Sequence, residues 1–391
     1  EGKVRLINSG RPPIYERGLE DLLTRNIGRR LAATPIYEGV AESDLTIICV
    51  GTPPLPDGNA DLAVVTSAAE SIGSSLRRRS ARHVVVVKST VPPGTTERLV
   101  APAVMRSSGL GPEDVGFVMN PEFLREGVAI EDFMKPDRIV IGASDPMAGD
   151  LVESVYERLN APVVRTGLAA AEMIKYASNA LLATKISFSN EVGNICKKIG
   201  VDVYEVMRGV GMDHRISPHF LDAGAGFGGS CFPKDVAALA HLAEELGEDP
   251  ALLRSVMEVN RRQPLKMADL LENKIGSLAG KRIAVLGLAF KKDTDDVRES
   301  RSLPLILELQ RRGAKVAAYD PLAVPVMRDI VPGIEYCRSA EEALRLADGC
   351  LVMTEWDEFK NLDDEFDLMN SRVVIEGRRV LSCNGREGIC W

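Results

Sequence analysis

No apolar run in this 391-residue chain approaches the roughly 18 residues that a membrane helix requires, so no segment reads as a span. The opening residues also lack the ordered charged, apolar and small-residue regions of a signal peptide, and the expectation is a chain with neither. Positive charge is not in excess: 48 Lys and Arg stand against 56 Asp and Glu, a net charge of −8. That balance argues against nucleic acid, which is bound through clustered cations, but leaves room for a small anionic ligand held by a few local ones. The seven cysteines (Cys49, Cys196, Cys231, Cys337, Cys350, Cys383 and Cys390) show no CxxC spacing, which removes the usual signs of a zinc site or a disulfide framework. They read as reduced cytosolic thiols, most of them core filler, with Cys49 and Cys350 inside apolar strand-like runs. Histidine is scarce too. His83, His214, His219 and His241 are the only four, and none sits in a catalytic motif.

What is present is alternation of strand and helix patterns. Short apolar runs at Leu45 to Val50, His83 to Lys88, Val115 to Met119 and Arg138 to Ile141 are bounded by Gly, Pro or Asp, as buried parallel strands are. Helical stretches at Asp61 to Arg78 and Thr95 to Ser107 lie between them. A long helix from about Leu168 to Ile199 opens a middle section without strand signal that extends to about Ile275. Strands then return at Arg282 to Leu286, Lys315 to Tyr319, Gly349 to Met353 and Arg372 to Ile375, with a helix at Ser302 to Arg312. The expected fold is α/β: two Rossmann-like parallel-sheet domains, 1–166 and 277–391, joined by a helical region, 167–276, with the long central helix. The chain opens on Glu1-Gly2-Lys3-Val4-Arg5, so the first domain is expected to lack its first strand and glycine turn. The one GxGxxG match, Gly224 to Gly229, follows a helix and runs into Ser230-Cys231; it reads as a flexible loop and not a cofactor fingerprint.

One cysteine has an unusual setting. In Gly228-Gly229-Ser230-Cys231-Phe232-Pro233-Lys234-Asp235 a thiol sits among glycines, with a cation and a carboxylate three and four residues on. Glycine lets the backbone approach a ligand, and nearby cations or free N–H groups favour a thiolate. The competing reading is a spare buried thiol beside a helix N-terminus.

This loop resembles the active-site loop of the UDP-glucose/GDP-mannose dehydrogenase family, and further matches run along nearly the whole chain. They include Ile14-Tyr15-Glu16-Arg17-Gly18-Leu19 (with Arg17 where the family usually has proline), Gly51-Thr52-Pro53 and Lys88 to Thr95. Asn120 to Gly127, Lys175-Tyr176 with Asn179, Ser189-Asn190-Glu191, Gly287 to Ser300, Thr354-Glu355-Trp356 and Glu376-Gly377-Arg378 complete the set. The resemblance implies a four-electron oxidation with NAD, in which Cys231 captures a sugar aldehyde and carries it to a thioester that water cleaves. By the same resemblance Lys175 stabilises or protonates the alkoxide, and Asn179, on the same helical face, holds the oxyanion. Asp235 assists proton transfer, while Thr90 and Glu122 position the hydrolytic water.

For NAD the resemblance implies Thr52, Ser89, Thr90, Glu126 and Arg298. For a UDP-sugar it implies Glu122, Phe123, Leu124, Arg125, Glu126, Lys175, Asn179, Phe220, Gly224, Phe227, Gly228, Phe290, Lys291 and Arg378. Arg215 resembles an arginine that reaches into the partner subunit's site, and a homodimer is expected; no metal is implied. The run Gly211 to Ile216 with Cys-Phe-Pro-Lys-Asp is closer to UDP-glucose members than to GDP-mannose or UDP-N-acetylhexosamine ones, which remain alternatives. Two other readings stay open: a UDP-sugar-binding protein with impaired catalysis, and a two-electron β-hydroxyacid dehydrogenase, which would have no use for Cys231.

Overall fold

The computed structural model describes residues 1–14, 16–382 and 387–391; Tyr15 of the first quoted motif and Cys383 fall outside the described residues. The chain divides into two compact units, Glu1–Ser178 and Asn179–Trp391.

The first unit holds a five-stranded sheet whose spatial order follows the chain: β1 (Leu45–Ile48), β2 (His83–Val87), β3 (Val115–Met119), β4 (Ile139–Ala143) and β5 (Val163–Thr166). Every residue of β2 and β3 is buried, which is why both runs are apolar throughout and show no alternation. On one face Val85, Val87, Phe117 and Met119 pack with Val65, Ile72 and Val104 from the helices Ala63–Leu76 and Ala101–Ser108. On the other, Val84, Val86, Val118 and Ile141 meet Val152 and Tyr156 of the helix Pro146–Tyr156. That last helix starts with Asp145 as its cap, accepting Ala148 N–H at 3.0 Å, and Pro146 in the first turn.

The expectation of an all-parallel sheet fails at one joint. β1, β2 and β3 are parallel, but β4 runs antiparallel to β3, pairing Val118 with Ala143 and Met119 with Gly142. The chain leaves β3 at its carboxyl end and the segment from Asn120 to Arg138 carries no crossover back across the sheet, so β4 starts at that same edge. Consequently the Asn120-to-Gly127 motif stays at the carboxyl ends of β1–β3.

A 32-residue helix, Leu168–Ile199, begins in the first unit and continues in the second. At 1.5 Å per residue it is about 48 Å long. Its pattern is partly inverted. Glu172, Lys175, Asn179 and Asn190 are buried, whereas Leu181, Phe188, Ile195 and Ile199 are 63, 54, 57 and 67% exposed.

The second unit adds the helices Val203–Gly211, Phe232–Glu245 and Ala251–Ile275, then a six-stranded sheet in the order β11-β10-β9-β6-β7-β8. These strands are β6 (Arg282–Leu286), β7 (Lys315–Tyr319), β8 (Glu335–Tyr336), β9 (Gly349–Val352), β10 (Val374–Glu376) and β11 (Glu387–Gly388), and all pairings are parallel. Its core joins Ile283, Val285 and Leu351 to Leu305, Leu309, Met267 and Leu271. Cys196, Cys337, Cys350 and Cys390 are core filler as expected, but Cys49 is not: it follows β1 and is exposed, like Cys231. Among the described residues no helix is long and apolar enough to cross a membrane.

Candidate active site

The predicted residues divide between the two units. In the first, β3 ends in Asn120 and delivers Glu122, whose Oε1 lies 3.0 Å from Lys175 Nζ. Lys175 is 3% exposed, so its ammonium has exchanged water for this one carboxylate. The other oxygen, Oε2, accepts Leu124 N–H at 2.5 Å, folding the segment into a tight turn. The Phe123 ring stands 5.4 Å from Lys175 Nζ and 3.8 Å from the Arg138 guanidinium carbon, a cation-lined aromatic wall. Arg125 is turned outward onto Asp132, at 2.7 Å, an exposed pair worth about 0–1 kcal/mol.

At the neighbouring strand ends, Ser89 Oγ accepts Val50 N–H at 2.8 Å and donates to Val50 O at 2.7 Å; Thr52 Oγ1 donates to Thr90 O at 2.9 Å. These hydroxyls tie the exits of β1 and β2 together, leaving short side chains along the carboxyl edge where doubly wound sheets take their ligands. Thr52, Ser89, Thr90 and the half-buried Glu126 are the first-unit residues expected from the sequence to hold a dinucleotide.

In the second unit Cys231 is exposed and precedes the 14-residue helix Phe232–Glu245, with Pro233 in the first turn. A helix N-terminus presents free N–H groups and favours an anion, which suits a thiolate. Ser230 Oγ is 3.6 Å from Cys231 Sγ. One turn into the helix, Asp235 is 1% exposed and receives Asn179 Nδ2 at 2.6 Å and Lys234 Nζ at 2.6 Å. Asn179 is itself 6% exposed, four residues after Lys175 on one helix.

The loop before Cys231 departs from the expectation of flexibility. Residues 223–227 are buried, and their backbone groups are taken up one by one. Gly224 N–H donates to Asn190 Oδ1 at 2.7 Å and Ala225 N–H to Gly377 O at 2.8 Å. Phe227 N–H and O are both held by the Asn260 amide, at 2.7 and 3.0 Å, and Arg378 donates to Gly226 O. Gly229 has φ +81°, and a Cβ there would come within 2.8 Å of the Phe290 ring, so the position demands glycine for both reasons. Gly228 likewise lies against Glu299 and Phe290. Phe220, at φ +62°, and Phe227 both pack edge-on to Phe232, with centroids 6.2 and 6.0 Å away.

Asp320, at the end of β7, fixes the Gly287-to-Phe290 turn by accepting Leu288 N–H, Ala289 N–H and Trp356 Nε1–H at 2.7, 3.0 and 3.0 Å. Lys291 Nζ lies 5.7 Å from the Phe290 ring centroid. Arg298 is bonded to Asp296, and its carbonyl accepts Gly229 N–H at 3.0 Å. Arg215 is exposed and doubly bonded to Asp213.

Four polar residues act here without having been singled out from sequence. Glu16 accepts Gly127 N–H and Ala129 N–H, both at 2.9 Å, anchoring the far end of the Glu122 segment. Lys88 Nζ donates to Asn120 Oδ1 at 3.0 Å and to Tyr156 Oη at 3.2 Å. Burial pushes the Lys88 ammonium down and the Tyr156 phenol up to about 12. Asn120 is the third, and Glu172, 0% exposed, the fourth; burial pushes the Glu172 carboxyl up, against the pull of its Thr96 and Gly94 hydrogen bonds. Glu16, Lys88 and Asn120 each lie inside a quoted motif, and Glu172 is three residues before Lys175, which is the signal that could have found them.

Comparison with known proteins accounts for the arrangement. The models of the UDP-glucose/GDP-mannose dehydrogenase family match residues 1–160 with its NAD binding domain, 169–262 with its central domain and 284–383 with its UDP binding domain. A UDP-glucose 6-dehydrogenase of Haloferax volcanii is 48% identical over 395 residues, covering 100% of this chain and 91% of that protein. One of Bacillus subtilis is 43% identical, covering 98% and 83%. The structure of a UDP-glucose dehydrogenase from Pyrobaculum islandicum superimposes with a TM-score of 0.94 at 45% identity, over 100% of this chain and 90% of the other. Matches this long and this even, over each third of the sequence, leave one conclusion: the chain belongs to the UDP-glucose/GDP-mannose dehydrogenase family.

Proposed function

We propose that this protein is an NAD-dependent UDP-glucose 6-dehydrogenase, carrying the sugar C6 alcohol to the acid through a covalent adduct on Cys231. The observation that carries the reading is the exposed thiol at a helix N-terminus, one turn before a buried Asp235 bonded to Asn179. Bound NAD supplies the hydride acceptor for each oxidation. Lys175, poised against Glu122, stabilises the oxygen of the first oxidation, and the Cys231 sulfur adds to the aldehyde carbon. Asn179 and Lys175 hold the resulting oxyanion, and Asp235 relays its proton. After the second oxidation, water adds to the thioester carbonyl carbon, the C–S bond breaks, the sulfur leaves as thiolate, and the acid is released. Thr90 and Glu122 orient that water.

The same reading assigns residues 1–166 to NAD, 167–276 to the central and dimerisation region and 277–391 to the UDP moiety, where Arg378, Lys291, Phe290 and the loop Gly224–Gly228 receive the nucleotide. A second copy covers the apolar face of the long helix, and Arg215 reaches that copy's site. UDP-glucose is favoured over other nucleotide sugars by the identity to relatives that bear its name. The test is product analysis with UDP-glucose and NAD⁺. The parent chain yields UDP-glucuronate, and Cys231→Ser lowers its formation more than about a thousandfold while melting at the same temperature, since the thiol is exposed. Acid formation at the parent rate by Cys231→Ser refutes the assignment.

A further inference from the structure

We infer that Glu172, which no step above uses, is a positioning residue that sets the spacing of Thr90 and Glu122 for thioester cleavage. The inference rests on the proposed roles of Thr90, Glu122 and Cys231.

Glu172 is 0% exposed, and its carboxylate accepts three donors from one short stretch of chain. Oε1 takes Thr96 N–H at 2.8 Å and Thr96 Oγ1–H at 2.6 Å, and Oε2 takes Gly94 N–H. A buried carboxylate is tolerated only when so satisfied, and charge-assisted bonds of this kind hold their partners firmly. The stretch it grips leads straight back to Thr90. Val91 is fully buried, Pro92 and Pro93 restrict the backbone, and Thr95 closes a turn onto Pro92 O through N–H and Oγ1 at 3.0 and 2.6 Å. At its other end Thr90 O is held by Thr52 Oγ1. Any shift of Gly94 therefore reaches Thr90 through a stiff connection.

The same helix also carries the contact to the segment bearing Glu122. Lys175, one turn after Glu172, holds Glu122 at 3.0 Å. One turn of one helix thus grips both segments: Glu172 fixes the one bearing Thr90, and Lys175 fixes the one bearing Glu122. A water that both must touch requires their separation to be constant, and misplacement of about 1 Å in such a constellation costs up to about a hundredfold in rate. A cap that served only to close the turn at Thr96 would affect stability without favouring one chemical step.

The test compares Glu172→Gln, Thr96→Val and Thr96→Ser with the parent. Reactions with UDP-glucose and NAD⁺ are quenched in acid during turnover and the intact protein is weighed. Glu172→Gln lowers kcat about tenfold to a hundredfold with KM for UDP-glucose little changed. It also accumulates protein carrying the mass of a UDP-glucuronyl group on Cys231. Thr96→Val shows the same accumulation to a smaller degree, and Thr96→Ser, which keeps the hydroxyl, recovers most of the rate. If Glu172→Gln does not fold, Thr96→Val decides. A slowed variant with no covalent adduct, or one at the parent rate, overturns the inference. A parent that releases one NADH per sugar defeats the underlying reading instead.

Discussion

Asn179 Nδ2 donates to Asp235 Oδ2 at 2.6 Å, and both side chains are buried beside an exposed Cys231. The carboxylate also accepts Lys234, so it satisfies one buried donor, Asn179, and one part-buried donor, Lys234. Asp235→Asn keeps one acceptor oxygen but turns an amide donor toward one of the two, Asn179 or Lys234. The expected result is a loss of about 1–3 kcal/mol in denaturant unfolding and a fall in kcat of about 10²- to 10⁴-fold. Parent-like stability and rate in this variant would remove Asp235 from the chemistry.

The Lys175–Glu122 pair predicts an order. The ammonium is the buried member, with 4% of its side chain exposed against 27% for Glu122. Glu122→Gln leaves that cation uncompensated, whereas Lys175→Met fills the same volume with hydrocarbon and leaves a partly solvated carboxylate. Glu122→Gln is therefore the less stable of the two, by about 1–2 kcal/mol, although both lose activity. Thermal melts of the two variants in one buffer settle the order, and the reverse order contradicts the burial argument.

His83 opens β2 at 0% exposure, its ring held by Ser43 O at 3.0 Å and Thr46 Oγ1 at 2.9 Å. Burial lowers its pKa from 6.5, with Arg79 pushing the same way and the Ser43 bond and Asp44 opposing. The unfolded chain then binds the proton more readily, so stability is complete above about pH 6.5 and declines as pH falls from there toward the depressed folded value. His83→Gln, which cannot take up that proton, shows a shallower decline between pH 7 and pH 5 in denaturant titrations. Equal slopes would mean that His83 charges without cost in the fold.

Leu181, Phe188 and Ile195 recur every seven residues along the long helix and are each more than half exposed. In the proposed homodimer this apolar stripe would be covered by the identical stripe of a second copy related by two-fold symmetry. Phe188→Asp is expected to halve the mass in solution by light scattering. An unchanged mass shows that the stripe is not the dimer contact.

Much of the fold was readable because its strands are short apolar blocks with sharp ends: β3, β6 and β7 occupy the expected residues. The reversal at β4 was not, since Arg138 to Ile141 is equally apolar in either direction and only the path of the preceding segment decides it. β8 and β11, two residues each, are too short to carry a pattern. For the site, Cys231 stood out by its glycines, and Lys175 and Asn179 by their four-residue spacing. Glu172 and Glu16 did not, because what marks them is the set of backbone N–H groups that tertiary structure brings to their carboxylates. The Gly224–Gly229 loop misled for a related reason: glycine suggests freedom, yet here it permits close approach by Asn260, Arg378 and Phe290.

The central claim, two successive oxidations linked by one thiol, is tested most directly by counting. UDP-glucose in limiting amount is exhausted with excess NAD⁺, and NADH is measured against sugar consumed. The account predicts two NADH for each UDP-glucose; a ratio of one contradicts it.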